Sequence, residues 1–205
     1  FQPVIVSAQT ISYQIEDRLY LSITDRCTLV CEFCPKTQGT TRIHAYDLAV
    51  DYRPELSEII ESIGDPDDYA QIVFCGFGEP TLRLKVLLEV ARWIKQRGGS
   101  TRINTDGLAN LVHKHDVVPE MVGLIDELSV SMNGQNEEVY NRHCQPQLAG
   151  SFEAMLGFLR SAAGRIPIVN ATTIDGLDRV DIEACKRVAE ECGVGFRARK
   201  LDIVG

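Results

Sequence analysis

Three thiols stand close together in Cys27-Thr28-Leu29-Val30-Cys31-Glu32-Phe33-Cys34, at offsets zero, four and seven, with an aromatic residue just before the third. A [4Fe–4S] cluster has four irons, each needing a ligand beyond its bridging sulfides. Three thiolates leave one iron open, and an open iron can bind a substrate or cofactor directly. The motif is therefore a candidate catalytic centre rather than a plain electron-transfer site. The competing reading is a structural zinc with three thiolates and His44 as the fourth ligand. Such zinc sites usually show two close pairs of ligands, and no second pair follows here.

A second motif reads Cys75-Gly76-Phe77-Gly78-Glu79-Pro80-Thr81. Its two glycines let backbone approach a ligand closely, and Glu79 is biased to an extended form by the proline after it. Exposed carbonyls and a carboxylate can hold an ammonium group. The plainer reading is a Gly/Pro-rich turn with a surface Glu. A phosphate loop does not fit, because no Gly-Lys-Ser/Thr follows.

Alternating strands and helices must position these motifs. Apolar, β-favouring content predicts strands at Arg18–Thr24, Gln71–Cys75, Thr101–Thr105, Glu127–Met132 and Ile166–Ile174, with a last one inside Phe196–Val204. Helical periodicity predicts helices at Pro54–Ile63, Leu84–Ile94, Val117–Ile125, Phe152–Ala163 and Ile182–Cys192. This alternation indicates an α/β fold with a parallel sheet. About six β–α units fit, against about eight in a complete barrel. The expected architecture is a partial, laterally open (β/α)6 barrel, with a flat doubly wound sheet as the alternative. Either one places the site at the carboxyl ends of the strands, and the cysteines lie just past the first strand.

The 205 residues, 44% of them hydrophobic, suit one domain over 1–205 with a sizeable core. The charged fraction is 24% and the mean hydropathy -0.06, as in a folded, soluble chain. A formal net charge of -8 argues against steering nucleic acid. No apolar run reaches the ~20 residues of a membrane span, and the first residues lack the features of a signal peptide. Seven cysteines, three of them bunched, speak for a reducing, cytoplasmic setting rather than a disulfide framework.

The two motifs in this order resemble the radical S-adenosylmethionine (radical SAM) superfamily, whose signature CxxxCxΦC follows the first strand of a partial barrel and whose GGEP-like motif follows the second. The likeness runs from about Tyr20 to Leu201. More narrowly, Arg102–Asn110, Leu128–Asn133 and Tyr140–Cys144 resemble the short TatD-associated radical SAM family. The resemblance implies that Cys27, Cys31 and Cys34 ligate a [4Fe–4S] cluster whose fourth iron is chelated by SAM. One electron then cleaves SAM to methionine and a 5′-deoxyadenosyl radical, which removes hydrogen from a substrate. Gly76, Phe77, Gly78 and Glu79 match the GGEP position and are expected to hold the methionyl amino group. Phe77 replaces a glycine of the common form. Phe33 is expected beside the cluster or the adenine, unless it is a core aromatic. The implied partners are a one-electron reductant of flavodoxin or ferredoxin type, and a protein or peptide substrate or a TatD-type hydrolase.

Further SAM contacts are expected at strand ends, from Asn104, Thr105 and Asp106 after the third strand and from Ser131 and Asn133 after the fourth. Capping or turn formation would explain any one of them equally well. Arg197 and Arg199 share one strand face. Arg199 is a candidate partner for the SAM carboxylate or an anionic substrate if that face is interior. Cys144, on the catalytic side, is a candidate reactive thiol or hydrogen donor. Cys75, Cys185 and Cys192 read as core thiols. His113 and His115, near-neighbours in an expected loop, lack the Glu spacing of a zinc protease.

Overall fold

The computed structural model describes residues 10–40, 42–43, 46–47 and 53–200. Strands β1 (Ser12–Ile15), β2 (Arg18–Ser22), β3 (Arg42–Ile43) and β4 (Tyr46–Asp47) precede helix α1 (Leu56–Ile63). There follow β5 (Gln71–Cys75), α2 (Leu84–Lys95), β6 (Thr101–Thr105), α3 (Ala109–His113), α4 (Val118–Met121) and β7 (Glu127–Ser131). The chain then runs through α5 (Glu137–Cys144), α6 (Ser151–Ala162), β8 (Ile168–Asp175), α7 (Ile182–Glu191) and β9 (Gly195–Lys200). His44 and the end of the last expected strand lie outside the described residues.

One seven-stranded sheet runs in the order β1-β2-β5-β6-β7-β8-β9. β1 is antiparallel to β2, and every later pairing is parallel. The parallel strands follow chain order with no reversal, so right-handed crossovers put their helices on one face. A doubly wound sheet would reverse its order at a switch point. The sheet is thus a length of barrel wall, open between its edge strands β1 and β9, as the six-unit expectation required.

The two faces differ in chemistry. Leu19, Leu21, Ile72, Phe74, Ile103, Leu128, Val130 and Ala171 point toward the helices and belong to the main apolar core. The alternate residues Tyr20, Ser22, Cys75, Arg102, Asn104, Ser129, Ser131, Thr172 and Arg197 therefore line the concave face. A core on one side and polar groups on the other is the arrangement of a wall around a binding space.

Four elements differ from expectation. β1 pairs with β2 as an antiparallel edge, although its sequence carries little strand signal. The expected helix over 117–125 shrinks to α4, because Val122 leaves helical geometry and Gly123 turns at φ 78. His113 closes helix α3 instead of lying in a loop. The segment 137–144 forms α5, capped by the Asn136 side chain on Val139 N–H at 3.0 Å. Among the described residues no helix is long and apolar enough to cross a membrane.

The amino ends of the strands are tied independently of the cysteines. Asp126 accepts Lys95 Nζ on both oxygens at 2.8 Å and Thr101 N–H at 2.8 Å. These bonds and the Lys95 charge hold its carboxyl below the usual carboxylate range against the opposing effect of burial. Asp126→Ala should cost about 1–3 kcal/mol in denaturant unfolding, with iron uptake at the opposite end of the strands unaffected.

Candidate active site

β2 runs into the cysteine loop at the carboxyl end of the sheet. Cys34 N–H donates to the Cys31 carbonyl at 3.1 Å, and Thr37 Oγ1 donates to the carbonyls of Cys31 and Cys34 at 2.7 Å each. The three thiols, Phe77, Lys36 and Gln147 line a cleft of about 480 Å³, within the usual range of small-molecule sites. The end of α5 clasps the loop from one side. Val30 N–H donates to the Cys144 carbonyl at 3.1 Å, Glu32 N–H to the His143 carbonyl at 3.0 Å, and Gln147 N–H to the Thr28 carbonyl at 3.0 Å. The buried His143 ring meets the Glu32 carboxylate through Nδ1 and the Asp178 carbonyl through Nε2 at 2.7 Å.

The loop after β5 clasps the cysteine loop from the other side. A Cβ on Gly78 would stand 2.1 Å from the Thr24 carbonyl oxygen, so only glycine lets the two backbones meet here. Gly76 turns at φ 130, and a Cβ there would meet Ser22 Oγ at 2.6 Å. Glu79 N–H donates to the Arg26 carbonyl at 2.7 Å. The Glu79 carboxylate is buried and accepts four bonds. Its Oε1 takes Thr81 N–H at 3.0 Å, Thr81 Oγ1 at 2.6 Å and Thr105 Oγ1 at 2.8 Å, and its Oε2 takes Asp106 N–H at 2.7 Å. The carboxyl group of Asp106 in turn accepts Thr28 Oγ1 and, at 2.9 Å, Leu108 N–H. Burial, then the neighbouring Asp106, push Glu79 up to about 8 despite its donors. Burial also raises Asp106.

The other expected site residues divide in two. Asn104 donates Nδ2 to Cys75 Sγ at 3.3 Å, and its buried Oδ1 has no partner among the described residues. Ser22 Oγ is likewise buried and unpartnered. Both line the concave face with Ser131, as does Arg197, which donates to Ser129 Oγ at 3.2 Å. Cys75 therefore faces the concave side and is half-buried there, a correction to its reading as a core thiol. Arg199 is half-buried on the same face, paired in register with Ile174.

Thr105 and Asn133 are engaged in the fold itself. Thr105 is held by Glu79, and Asn133, at φ 50, accepts Ile174 N–H on Oδ1 at 3.2 Å. Phe33 packs half-buried against the main core, as do Cys27 and Cys31. Cys185 and Cys192 are core residues, as read. His113 Nε2 bonds the Thr81 carbonyl at 2.8 Å, while His115 Nε2 pairs with Glu120 at 2.8 Å. Thr28 and His143 were missed as site residues. Their signals were a hydroxyl inside the cysteine motif and a histidine directly before Cys144.

The donor set at the cleft fits an iron–sulfur cluster, since three thiols line it together. A [4Fe–4S] cluster takes each thiolate on its own iron. Burial first, then Asp106, push the Cys27 thiol up to about 12. A hydrogen bond with Cys144 and burial push Cys31 up as well. Iron bound there would offset the cost of buried thiolates. The Ser22 and Asn104 oxygens of the concave face are buried without a partner among the described residues, a cost that a polar ligand against that face would relieve.

Two outcomes follow from the clasped loops. Gly78→Ala should lose about 1–3 kcal/mol in denaturant unfolding, because neither backbone at the contact can yield cheaply. An unfolded Glu79 ionises near 4.5, whereas the folded one keeps its proton to about 8. The folded state therefore binds the extra proton between these values, and stability falls as pH rises through that window. Thermal unfolding across it should show a decline that is smaller in Glu79→Gln.

Comparison with known proteins agrees with this geometry. The family model of the radical SAM superfamily matches residues 21–192. A GTP 3′,8-cyclase of Hydrogenovibrio crunogenus is 29% identical over 184 residues, which are 88% of this chain and 53% of that protein. A tungsten-containing aldehyde ferredoxin oxidoreductase cofactor-modifying protein of Pyrococcus furiosus is 31% identical over 116 residues, 56% of this chain and 28% of that protein. The chain thus spans about half or less of these relatives. Among solved structures, TYW1 with a lysine-pyruvate adduct bound has a TM-score of 0.65 at 15% identity, over 90% of this chain and 64% of that one. Streptococcus suis SuiB bound to precursor peptide SuiA has a TM-score of 0.67 at 12% identity, over 92% of this chain and 40% of that one. With its cysteine motif, its open barrel wall and a family match over most of its length, this chain belongs to the radical SAM superfamily.

Proposed function

We propose that this chain is the core of a radical SAM enzyme and resembles, more narrowly, the short TatD-associated family. Cys27, Cys31 and Cys34 would hold a [4Fe–4S] cluster, and the polar concave face would take SAM. Bound there, cluster and SAM supply the one-electron cleavage that yields methionine and a 5′-deoxyadenosyl radical. The observation that carries this reading is the direct clamp between the two motifs, Glu79 N–H on the Arg26 carbonyl at 2.7 Å with Gly78 packed against Thr24.

The residues divide the work by placement. Phe77 lines the cleft, and the backbone of the Gly76-Phe77-Gly78 turn receives the methionyl amino group. Glu79, whose carboxylate is filled by four donors, holds that backbone in position. Asn104, Ser131 and Arg199 offer polar groups to the rest of SAM or to the substrate, while Thr105 and Asn133 brace the strand ends that carry them. A protein or peptide can enter at the open side of the wall, or a TatD-type hydrolase can cover it. The electron comes from a flavodoxin or ferredoxin in a cytoplasmic setting.

Anaerobically purified protein should carry about four irons per chain with matching sulfide, and on reduction should convert SAM to 5′-deoxyadenosine and methionine. Zinc without iron or sulfide would instead support the structural-metal reading. Cys31→Ala should abolish cluster uptake. Glu79→Ala should keep the cluster but weaken SAM binding about tenfold, the scale of one net hydrogen bond lost from the brace behind the loop. Unchanged SAM affinity in Glu79→Ala would remove that residue from the assignment.

A further inference from the structure

Cys144 is sealed in the main core at 0% exposure, whereas the concave face holds a buried charge that the proposed function leaves unused. Ile103 packs in the main core, so its neighbour Arg102 projects from β6 onto the concave face. Arg102 is 6% exposed. Its guanidinium reaches across β5 to β2. There Nη2 donates to the Tyr20 hydroxyl oxygen at 3.4 Å, and the guanidinium carbon lies 6.0 Å from the Tyr20 ring centroid. Nε is buried and has no partner among the described residues.

A buried cation is costly unless a counter-charge meets it. Among the described residues no Asp or Glu forms an ion pair with Arg102. The carboxylate placed to do so is Glu127, paired with Arg102 in register on the same face. Gln71 Nε2 holds that carboxylate instead, donating to Oε2 at 3.1 Å. Their bond joins the amino ends of β5 and β7 and leaves the guanidinium unpaired. Further along the same face, Asn104 Oδ1 and Ser22 Oγ are also buried without a partner among the described residues. Asn104 is two residues, about 6.6 Å, nearer the carboxyl end of β6 than Arg102. The face thus carries a cation at depth and two unmet hydrogen-bonding groups toward the loops that hold the cysteines. A small molecule that brings an anion and a polar group would satisfy all three.

We propose that Arg102 binds the anionic head, a carboxylate or a phosphate, of a small-molecule substrate, with Asn104 Oδ1 accepting from a hydroxyl or amino group of the same molecule. This names the substrate class of the proposed enzyme and rests on that reading. A guanidinium presents a planar fork of donors that matches either anion. The counter-charge arrives only with the substrate, so an uncharged analogue leaves the cation as costly as before. Exposure of only 6% suits the end of a small molecule rather than a folded protein surface.

The test is isothermal titration of the anaerobically reconstituted full chain, without SAM and at fixed ionic strength, with inorganic phosphate and separately with malonate. Saturable binding of at least one is expected, and the tighter of the two identifies the head group. Arg102→Met should weaken that binding at least about tenfold, the scale of a lost bond to a charged group. Arg102→Lys keeps the charge but loses the fork, so it should weaken binding less, and it carries the comparison if Arg102→Met does not fold. Arg97→Gln removes one positive charge from an exposed site and should leave binding unchanged. A wild type saturated by neither anion overturns the proposal, as do Arg102 variants that bind as wild type or as Arg97→Gln does. Iron and sulfide are counted in the same samples. A chain that takes up no cluster overturns the radical SAM reading, while the titration still decides the anion site.

Discussion

Much of the site hangs on one residue with two kinds of contact. The Glu79 backbone N–H holds the Arg26 carbonyl after β2, while its carboxylate holds Thr105 and Asp106 at the end of β6. Glu79 itself follows β5, so three neighbouring strand ends are fixed through one side chain and one peptide. Parallel strands leave their ends free unless loops tie them, and a buried, four-fold hydrogen-bonded carboxylate is a stiff tie. Burial disfavours charge on both carboxyls, which shows as the upward push on Glu79 and Asp106. Pro80 and the two glycines shape the same turn, so the motif is first a device for joining loops. In the proposed function, ligand contact falls to the backbone it holds in place.

The cysteine loop is held between that tie and the end of α5. On one side Gly78 meets Thr24, and on the other the backbone of His143 and Cys144 receives Glu32 and Val30. Both clasps act on main chain, so the cysteine side chains stay available for iron. Thr28, placed between Cys27 and Leu29, donates to Asp106 and links the two carboxylates to the loop. Polar lining then continues down the concave face through Ser22, Cys75, Asn104 and Ser129, while apolar partners on the same strands fill the core beneath the helices.

The chemistry was legible in the sequence where it was local. The three cysteines and GFGEP are short motifs, and the alternation of strands and helices placed both at one end of a parallel sheet. Long-range contacts were not legible. Glu79 read as a group facing a ligand, because nothing in the sequence shows that Thr105 and Asp106 would reach it from another strand. β1 was missed because Ser12–Ile15 is stabilised by pairing with β2 rather than by its own propensity. α5 was missed because its exposed face is polar and only Val139, Tyr140, His143 and Cys144 are buried. Cys75 was misread because a strand in a barrel wall has one face on the core and one on the cavity.

The central claim is that three thiols leave one iron open for SAM and that the loop after β5 receives its amino group. The most direct measurement is EPR and hyperfine spectroscopy of the reduced cluster with SAM labelled with nitrogen-15 at the amino group. The account predicts that SAM alters the cluster signal and that the labelled nitrogen couples to it. A reduced cluster whose signal is indifferent to SAM, with no coupling to the label, would contradict the account.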